Sequence, residues 1–377
     1  MESRNRIDAT LAAAMGLDAD RLARVFAVLD GEMKAGAIPG AAVSIGRNGR
    51  FMEFAVGRAV AHGYPTVRAA ADTIYDCASL TKVVVTLPLI LQLLEEGKLR
   101  LDDPLALHLP AFAGDGKEAV TIRRLLTHTA GLAPFADLHS HGWTRERIVD
   151  FVLAQPLQYE PGSRVVYSDL GYILLGHLAS RLLAAPLERL AADRIFGPLG
   201  MKDSGFNPPA ALRGRIAATE RYPNEDRPRL GTVHDENARA MGGVSGHAGL
   251  FSTARDLARY AAMWLEGGSL EGRTVLSPAS VGLAIRPQSG AAEGGCRGLG
   301  WALKGDRFDA SGDLLSPASY GHTGFTGTSL YVDPVLRLTV VLLTNRVHYG
   351  RDRSVERLRA LVHNVVAASV LGAADSR

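Results

Sequence analysis

The sequence predicts an α/β (α+β) fold: an antiparallel sheet formed by the N- and C-terminal segments, flanked by helices, with an all-helical domain inserted between them. Three observations predict it. Two strand-like runs near the start, residues 41–45 and 51–56, meet across Asn48-Gly49, a strong hairpin signal. Strand-like runs return in the last third, at residues 299–303, 329–332 and 338–344, with a turn at Asp333-Pro334. Between about residue 80 and residue 200 the signals are mostly helical. Strands at both ends and helices between them imply a sheet that joins distant segments. The expected division is 1–78 and 233–377 for the two parts of the α/β domain, and 79–232 for the mostly helical one.

Taken in order, Asp18 or Asp20 can cap a helix to about Lys34 that carries Leu22, Val25, Phe26, Leu29 and Met33 on one face, with Gly36 as the stop. Residues 73–76 form a short strand candidate leading into Ser79, and residues 80–96 an apolar helix ending at Gly97. Helices follow at 121–127, 144–154, 170–184 and 187–196, joined by Pro/Gly-rich loops. Residues 207–232 hold four prolines and little periodicity, and are expected to form a long surface loop. Ser252-Thr253-Ala254-Arg255-Asp256 starts a helix through about Leu265, and a last helix covers about 354–371. The Gly/Ser-rich stretches 286–298 and 305–318 are long enough for functional edges or lids.

Composition narrows the function. Of 377 residues, 47% are apolar and 21% charged, as in a globular protein with a large core. Net charge is +3, and the basic residues are scattered rather than blocked, which argues against a nucleic-acid surface. Cys77 and Cys296 give no disulfide framework. No apolar run reaches 18 residues, so no membrane span is expected. The run 9–17 contains Thr10 and follows Glu2 and Asp8, a poor secretory signal; the chain as given reads as cytoplasmic, or periplasmic or secreted if a leader is missing. The expected partner is a small-molecule or peptide substrate, with the chain a monomer or weak homo-oligomer.

The chemistry centres on Asp76-Cys77-Ala78-Ser79-Leu80-Thr81-Lys82, which places a serine at a helix start and a lysine one turn further in. A serine hydroxyl needs a base before it attacks a carbonyl, and positions i and i+3 share a helix face, so Lys82 can reach it. Burial and the helix N-terminus both lower a lysine pKa. Neutral, Lys82 can accept the proton; charged, it can stabilise a phenolate or alkoxide. Ser-x-x-Lys alone occurs by chance about 0.3 times in such a chain and describes an N-cap with a solvated lysine equally well; the apolar Val83-Val84-Val85 argues against solvation.

Two further stretches add to it. Tyr167-Ser168-Asp169 precedes an apolar helix. A phenol near a cationic lysine can act as general base and then acid, and Asp169 can hold Lys82 by a charge-assisted hydrogen bond; by itself the stretch is as well a capping Ser-Asp pair beside a core tyrosine. Gly321-His322-Thr323-Gly324-Phe325-Thr326-Gly327-Thr328 leads into a strand. Its glycines let backbone approach a substrate, and a backbone N–H there, with that of Ser79, would make an oxyanion hole; by itself the stretch is as well an ordinary Gly-rich turn before a strand.

In this order and spacing the three motifs resemble the serine β-lactamase and penicillin-binding protein superfamily, whose first motif is Ser-x-x-Lys, and most closely its class C β-lactamase-like branch. That branch also holds D-alanyl-D-alanine carboxypeptidases, D-aminopeptidases and esterases. The likeness runs from about residue 20 to 370 and includes Leu125-Leu126-Thr127-His128-Thr129-Ala130-Gly131-Leu132, Tyr159-Glu160-Pro161-Gly162, Pro198-Leu199-Gly200-Met201 and Gly246-His247-Ala248-Gly249-Leu250-Phe251-Ser252-Thr253. The last, with Val233-His234-Asp235-Glu236-Asn237-Ala238, is similar to a penicillin-binding-protein-like or muropeptide amidase-like subgroup. The resemblance implies a β-lactamase/transpeptidase-like fold with Ser79 as the acylated nucleophile and Lys82 and Tyr167 sharing acid–base work. It puts Asp169 where many relatives carry asparagine, and His322-Thr323-Gly324 in place of a Lys-Thr-Gly substrate-binding motif. The oxyanion hole it implies is formed by the N–H groups of Ser79 and Phe325.

Two departures matter. Asp169 tends to keep Lys82 protonated, which moves the base role towards Tyr167. His322 removes a permanent cation that would meet a substrate carboxylate. Both point away from an efficient β-lactamase. The expectation is a serine hydrolase acting through an acyl-enzyme, first on cell-wall-type peptides or amides and second as a carboxylesterase or weak β-lactamase. The reading of another class is a non-catalytic sensor of peptidoglycan fragments or penicillins.

No cofactor or metal is expected: His139-Ser140-His141 is the only tight histidine pair, and His-Glu-x-x-His does not occur. His128 and His247 read as structural, Cys77 as buried and inert, and Phe251 and Trp301 as core. Trp143 and the loop from Phe135 to His141 read as cleft wall or plain surface.

Overall fold

A computed structural model describes residues 6–372 of the chain. The first five residues and the last five, at the end of the 233–377 part, lie outside the described residues, whereas the run 9–17 weighed as a secretory signal lies within them and is helical over Ala9–Ala14.

Alternating side chains build the central sheet. In strand Gly40–Arg47, Val43 and Ile45 face one side and Ala42 the other; in Leu338–Thr344, Val340 and Leu342 alternate with Val341 and Leu343 in the same way. Seven strands pair antiparallel in the order 67–68, 50–60, 40–47, 338–344, 329–333, 320–323, 302–303, with Ala41 opposite Thr344. The sheet thus joins strands from the two ends of the chain. Asn48 and Gly49 both take positive φ, 52° and 70°, which closes the first hairpin as a two-residue turn.

Each face buries its apolar set under helices. Ala19–Lys34, N-capped by Asp18, and Glu356–Ala368 cover one face, and Ala254–Leu265, N-capped by Thr253, covers the other. A second apolar cluster continues from that face into the helices between residues 80 and 200. No single helix among the described residues is long and apolar enough to cross a membrane.

Four expectations are corrected. The apolar helix after Ser79 is not uniform: Lys82–Thr86 forms a π turn before Leu87–Glu95 continues as α-helix. The strand before Ser79, Tyr75–Asp76, belongs to a separate small sheet with Leu250–Ser252 and Gly205–Phe206. Residues 207–232 are not simply surface: Ala210–Arg215 is a 3-10 helix, and Ile216 to Thr219 are buried. There Asn345 Nδ2 bonds the Ala59 and Ala218 carbonyls at 2.8 Å each, tying this segment to the sheet. Finally, Tyr320–Thr323 is itself a strand, not a loop entering one, while the 299–303 run is a strand only at Ala302–Leu303. That short neighbour pairs with Tyr320 and Gly321 and leaves His322 and Thr323 without a partner on that side.

Candidate active site

Ser79 stands where the small sheet hands over to the apolar helix. Ala78 takes the left-handed region at φ 46°, so the chain turns sharply just before the serine. Asp76 fixes that turn by accepting from Ala78 N at 2.9 Å and His234 N at 2.6 Å. Lys82 is wholly buried. Its Nζ donates to Ser79 Oγ at 3.0 Å and to the His247 carbonyl at 3.0 Å, and pairs with Asp169 Oδ1 at 2.7 Å. Burial by itself lowers the Lys82 pKa, but Asp169 and Tyr167 outweigh it and hold the group above its ordinary value. Lys82 is an ammonium here, and the neutral alternative left open by the sequence is not the resting state.

Ser168 caps helix Asp169–Leu182 and donates to the Ala133 carbonyl at 2.6 Å, so Asp169 enters the first turn and Tyr167 lies just outside it. The Tyr167 ring stacks on His128 at 4.3 Å and lies 4.9 Å from Lys82 Nζ, with Phe308 at 5.4 Å and His322 at 6.0 Å. His128 Nδ1 accepts from Ser168 N, and burial, followed by the charges of Arg297 and Lys82, keeps its pKa well below the usual histidine range.

The third wall is Tyr320–Thr323 and the turn after it. His322 is buried, and its Nδ1 lies 2.8 Å from the Thr323 carbonyl, so that nitrogen carries the proton and Nε2 is left as acceptor. Burial, then Arg297 and Lys82, lower its pKa well below the ordinary value, so it is neutral. Two hydroxyls pin the turn beside Ser79: Thr326 Oγ1 bonds the Asp76 carbonyl at 2.7 Å and Thr328 Oγ1 the Cys77 carbonyl at 3.1 Å. Gly324 is required there, since a Cβ would stand 2.5 Å from the Cys77 oxygen. Among the described residues, neither Ser79 N–H nor Phe325 N–H donates to a protein acceptor. Two free N–H groups beside one hydroxyl can stabilise a developing oxyanion.

These residues share a cavity of about 410 Å³, lined by Ser79, Tyr167, Phe308 and His322. Arginines that no sequence motif marked also line it: Arg297, Arg346, Arg351, Arg353 and Arg359, against Asp352 and Glu356. Arg351 is committed to Glu220 and Glu236, and Arg297 pairs with Asp306 at 3.3 Å. Position 322 carries no cation, and the positive side chains at the cavity come from other elements. Their only sequence signal was placement in or beside segments notable for other reasons: the 286–298 loop, the end of strand 338–344 and the last helix.

Other candidate residues fall elsewhere. His141 stacks on Trp143 at 4.1 Å, away from the residues lining the cavity. Cys77, Phe251 and Trp301 are buried. His247 bonds Ser245 Oγ at 2.8 Å and Asp235 at 2.9 Å. Asp169, Asp235 and His247 bring ligand-type atoms within 4.8 Å of one another, but the cation they face is Lys82, already paired with Asp169.

Known proteins are similar to this chain in sequence and fold. The family model described as Beta-lactamase matches residues 25–364. A protein of Escherichia coli (strain K12) named "Putative D-alanyl-D-alanine carboxypeptidase" is 36% identical over 315 residues, covering 75% of this chain and 71% of that protein. The solved structure of EstCE1, described as a hydrolase with promiscuous acyltransferase activity, is 25% identical with a TM-score of 0.74, covering 92% of this chain and 99% of that one. A penicillin-binding protein homologue from Caulobacter crescentus shares the fold at 24% identity and a TM-score of 0.75, over 94% of this chain and 99% of that one. Matched along most of its length by the family model, and by relatives named for peptide and acyl chemistry, the chain belongs to the β-lactamase family and is a serine hydrolase.

Proposed function

We propose that this hydrolase cleaves an amide bond near a free carboxylate, as in a D-alanyl peptide of the cell-wall type, by acyl transfer through Ser79. The observation that carries the reading is the Lys82 ammonium, wholly buried between Ser79 Oγ at 3.0 Å and Asp169 at 2.7 Å. A lysine held charged is a poor proton acceptor, so the base is Tyr167, acting as phenolate with Lys82 against its ring. Ser79 Oγ forms a bond to the carbonyl carbon as its proton passes to Tyr167. The carbonyl oxygen gathers charge between the N–H groups of Ser79 and Phe325. The C–N bond then breaks, Tyr167 returns the proton to the leaving amine, and water repeats the sequence to free the acid.

The carboxylate preference is supported by the arginines of the cavity wall and by the relatives named as carboxypeptidases. Ester hydrolysis is the second reading, favoured by Phe325, 48% exposed at the cavity, which offers an apolar seat to an acyl or aryl group. The test is an activity panel on wild type and Ser79→Ala: D-alanyl-D-alanine peptides, muropeptides, short p-nitrophenyl esters and nitrocefin. Wild type should turn over the peptides and label with a fluorophosphonate, and Ser79→Ala should do neither. Equal labelling of both proteins would sink the nucleophile assignment, and esters cleaved with peptides untouched would move the function to the second reading.

A further inference from the structure

We propose that Arg359, on the last helix, is a positioning residue for acyl transfer that polarises the peptide unit between Gly324 and Phe325. The inference rests on the oxyanion-hole reading above and goes one bond behind it.

Gly324 C=O and Phe325 N–H are the two ends of one planar peptide. Arg359 Nη2 donates to the Gly324 oxygen at 2.7 Å and to the Thr328 oxygen at 3.0 Å. The Gly324 oxygen also accepts from Gly327 N at 3.0 Å. It therefore takes two donors, one of them cationic, and a charge-assisted hydrogen bond is roughly twice as strong as a neutral one. Hydrogen bonds in series polarise one another. Electron density drawn onto the oxygen leaves the far end of the same unit, the Phe325 N–H, a better donor. That N–H has no protein acceptor among the described residues, so the gain is available to a ligand oxygen.

The charge of Arg359 is not spent elsewhere. The side chain is buried, and no carboxylate lies within ion-pair distance of it among the described residues. Burial lowers its pKa to about 10, so it remains a cation at neutral pH. A buried cation without a carboxylate is a costly way to hold two carbonyls; a neutral amide could bond them. Arg346 supplies an internal contrast. Its Nε bonds the Phe325 carbonyl at 2.8 Å, which belongs to the next peptide, whose N–H is that of Thr326. Arg346 grips the same turn without acting on the Phe325 N–H.

The experiment compares Arg359→Gln, Arg359→Lys and Arg346→Gln, each checked for folding by thermal unfolding. It measures kcat and KM on an activated ester, and the affinity of a boronic acid, whose tetrahedral adduct on the serine places an oxygen between the two N–H groups. Losing a whole oxyanion donor costs about 10²–10³-fold in kcat, so weakening one should cost less. Arg359→Gln should lower kcat roughly tenfold and weaken the boronic acid by a similar factor, with KM moved less than about twofold. Arg359→Lys keeps the charge and should stay within about threefold of wild type. Arg346→Gln should move KM at least as much as kcat.

Arg359→Gln with wild-type kcat overturns the proposal, as does a loss shared equally between kcat and KM. If Arg359→Gln does not fold, Arg359→Lys decides: a tenfold loss there means a fork-shaped clamp rather than a charge. Failure of the underlying reading looks different, since then wild type itself would not bind the boronic acid through Ser79.

Discussion

Replacing Asp169 by asparagine removes the carboxylate that faces Lys82 and leaves the side-chain volume almost unchanged. Two unit charges 2.7 Å apart interact by about 6 kcal/mol at an effective dielectric of about 20. Asp169 is 23% exposed, and the asparagine oxygen keeps part of the contact, so roughly half of that is lost, about 3 kcal/mol. That loss lowers the Lys82 pKa. The sign follows from the opposing causes: burial pushes Lys82 down and Asp169 holds it up, so without the carboxylate burial prevails. If the reaction needs Lys82 as an ammonium beside Tyr167, the alkaline limb of kcat/KM moves to lower pH. The assay is a pH–rate profile on an activated ester between pH 5 and pH 11, with single-turnover acylation to isolate the first step. A limb that does not move, or a variant that outruns wild type at alkaline pH, would mean that Lys82 works as a neutral base and that Tyr167 does not take the serine proton.

Other outcomes follow from the same geometry. Tyr167→Phe should cut single-turnover acylation by about 10²-fold or more while leaving the stacked ring beside His128 in place; near-normal acylation would remove Tyr167 from the proton path. A peptide ending in a free carboxylate should have a kcat/KM at least about tenfold above its amidated twin, and the gap should narrow as salt is added; equal rates would refute a carboxylate role for the arginine wall. Stability should fall on acidification. His348 and His363 are buried, with folded pKa values lowered to about 4, so the unfolded chain binds more protons below about pH 6.5, and stability present above that value is lost progressively towards pH 4. Each contributes about 2 kcal/mol by pH 5, and His128 and His322 act in the same direction. Urea unfolding midpoints at pH 7.5 and pH 5 measure this, and a midpoint independent of pH would contradict it.

Local grammar carried much of the structure into the sequence. Asn48-Gly49 could only be a tight turn, Asp18 and Thr253 could cap, and alternating apolar residues marked strand 338–344. Ser79 and Lys82 were legible because a spacing of three on a helix is itself a geometry. What stayed hidden depends on partners far along the chain. Tyr320–Thr323 reads as a glycine-rich loop until Ser329–Asp333 pairs with it. Ile216 to Thr219 look like loop residues and become buried because Ala218 N bonds the Ala59 carbonyl. Arg346 and Arg359 serve backbone oxygens, and a carbonyl leaves no mark in a sequence that a cation could be matched to. The π turn at Lys82–Thr86 is equally silent, since Val83-Val84-Val85 suits either helix.

The sheet that sets Gly40–Arg47 beside Leu338–Thr344 also sets a timetable. Ser79 is made early and the turn carrying Phe325 late, and the two meet only once the C-terminal strands have closed against the N-terminal hairpin. Contacts so distant along the chain form slowly. A growing chain therefore carries Ser79 for most of its synthesis without the turn that holds Phe325. On the proposed mechanism, hydrolytic activity itself then reports that the two ends of the sheet have found each other.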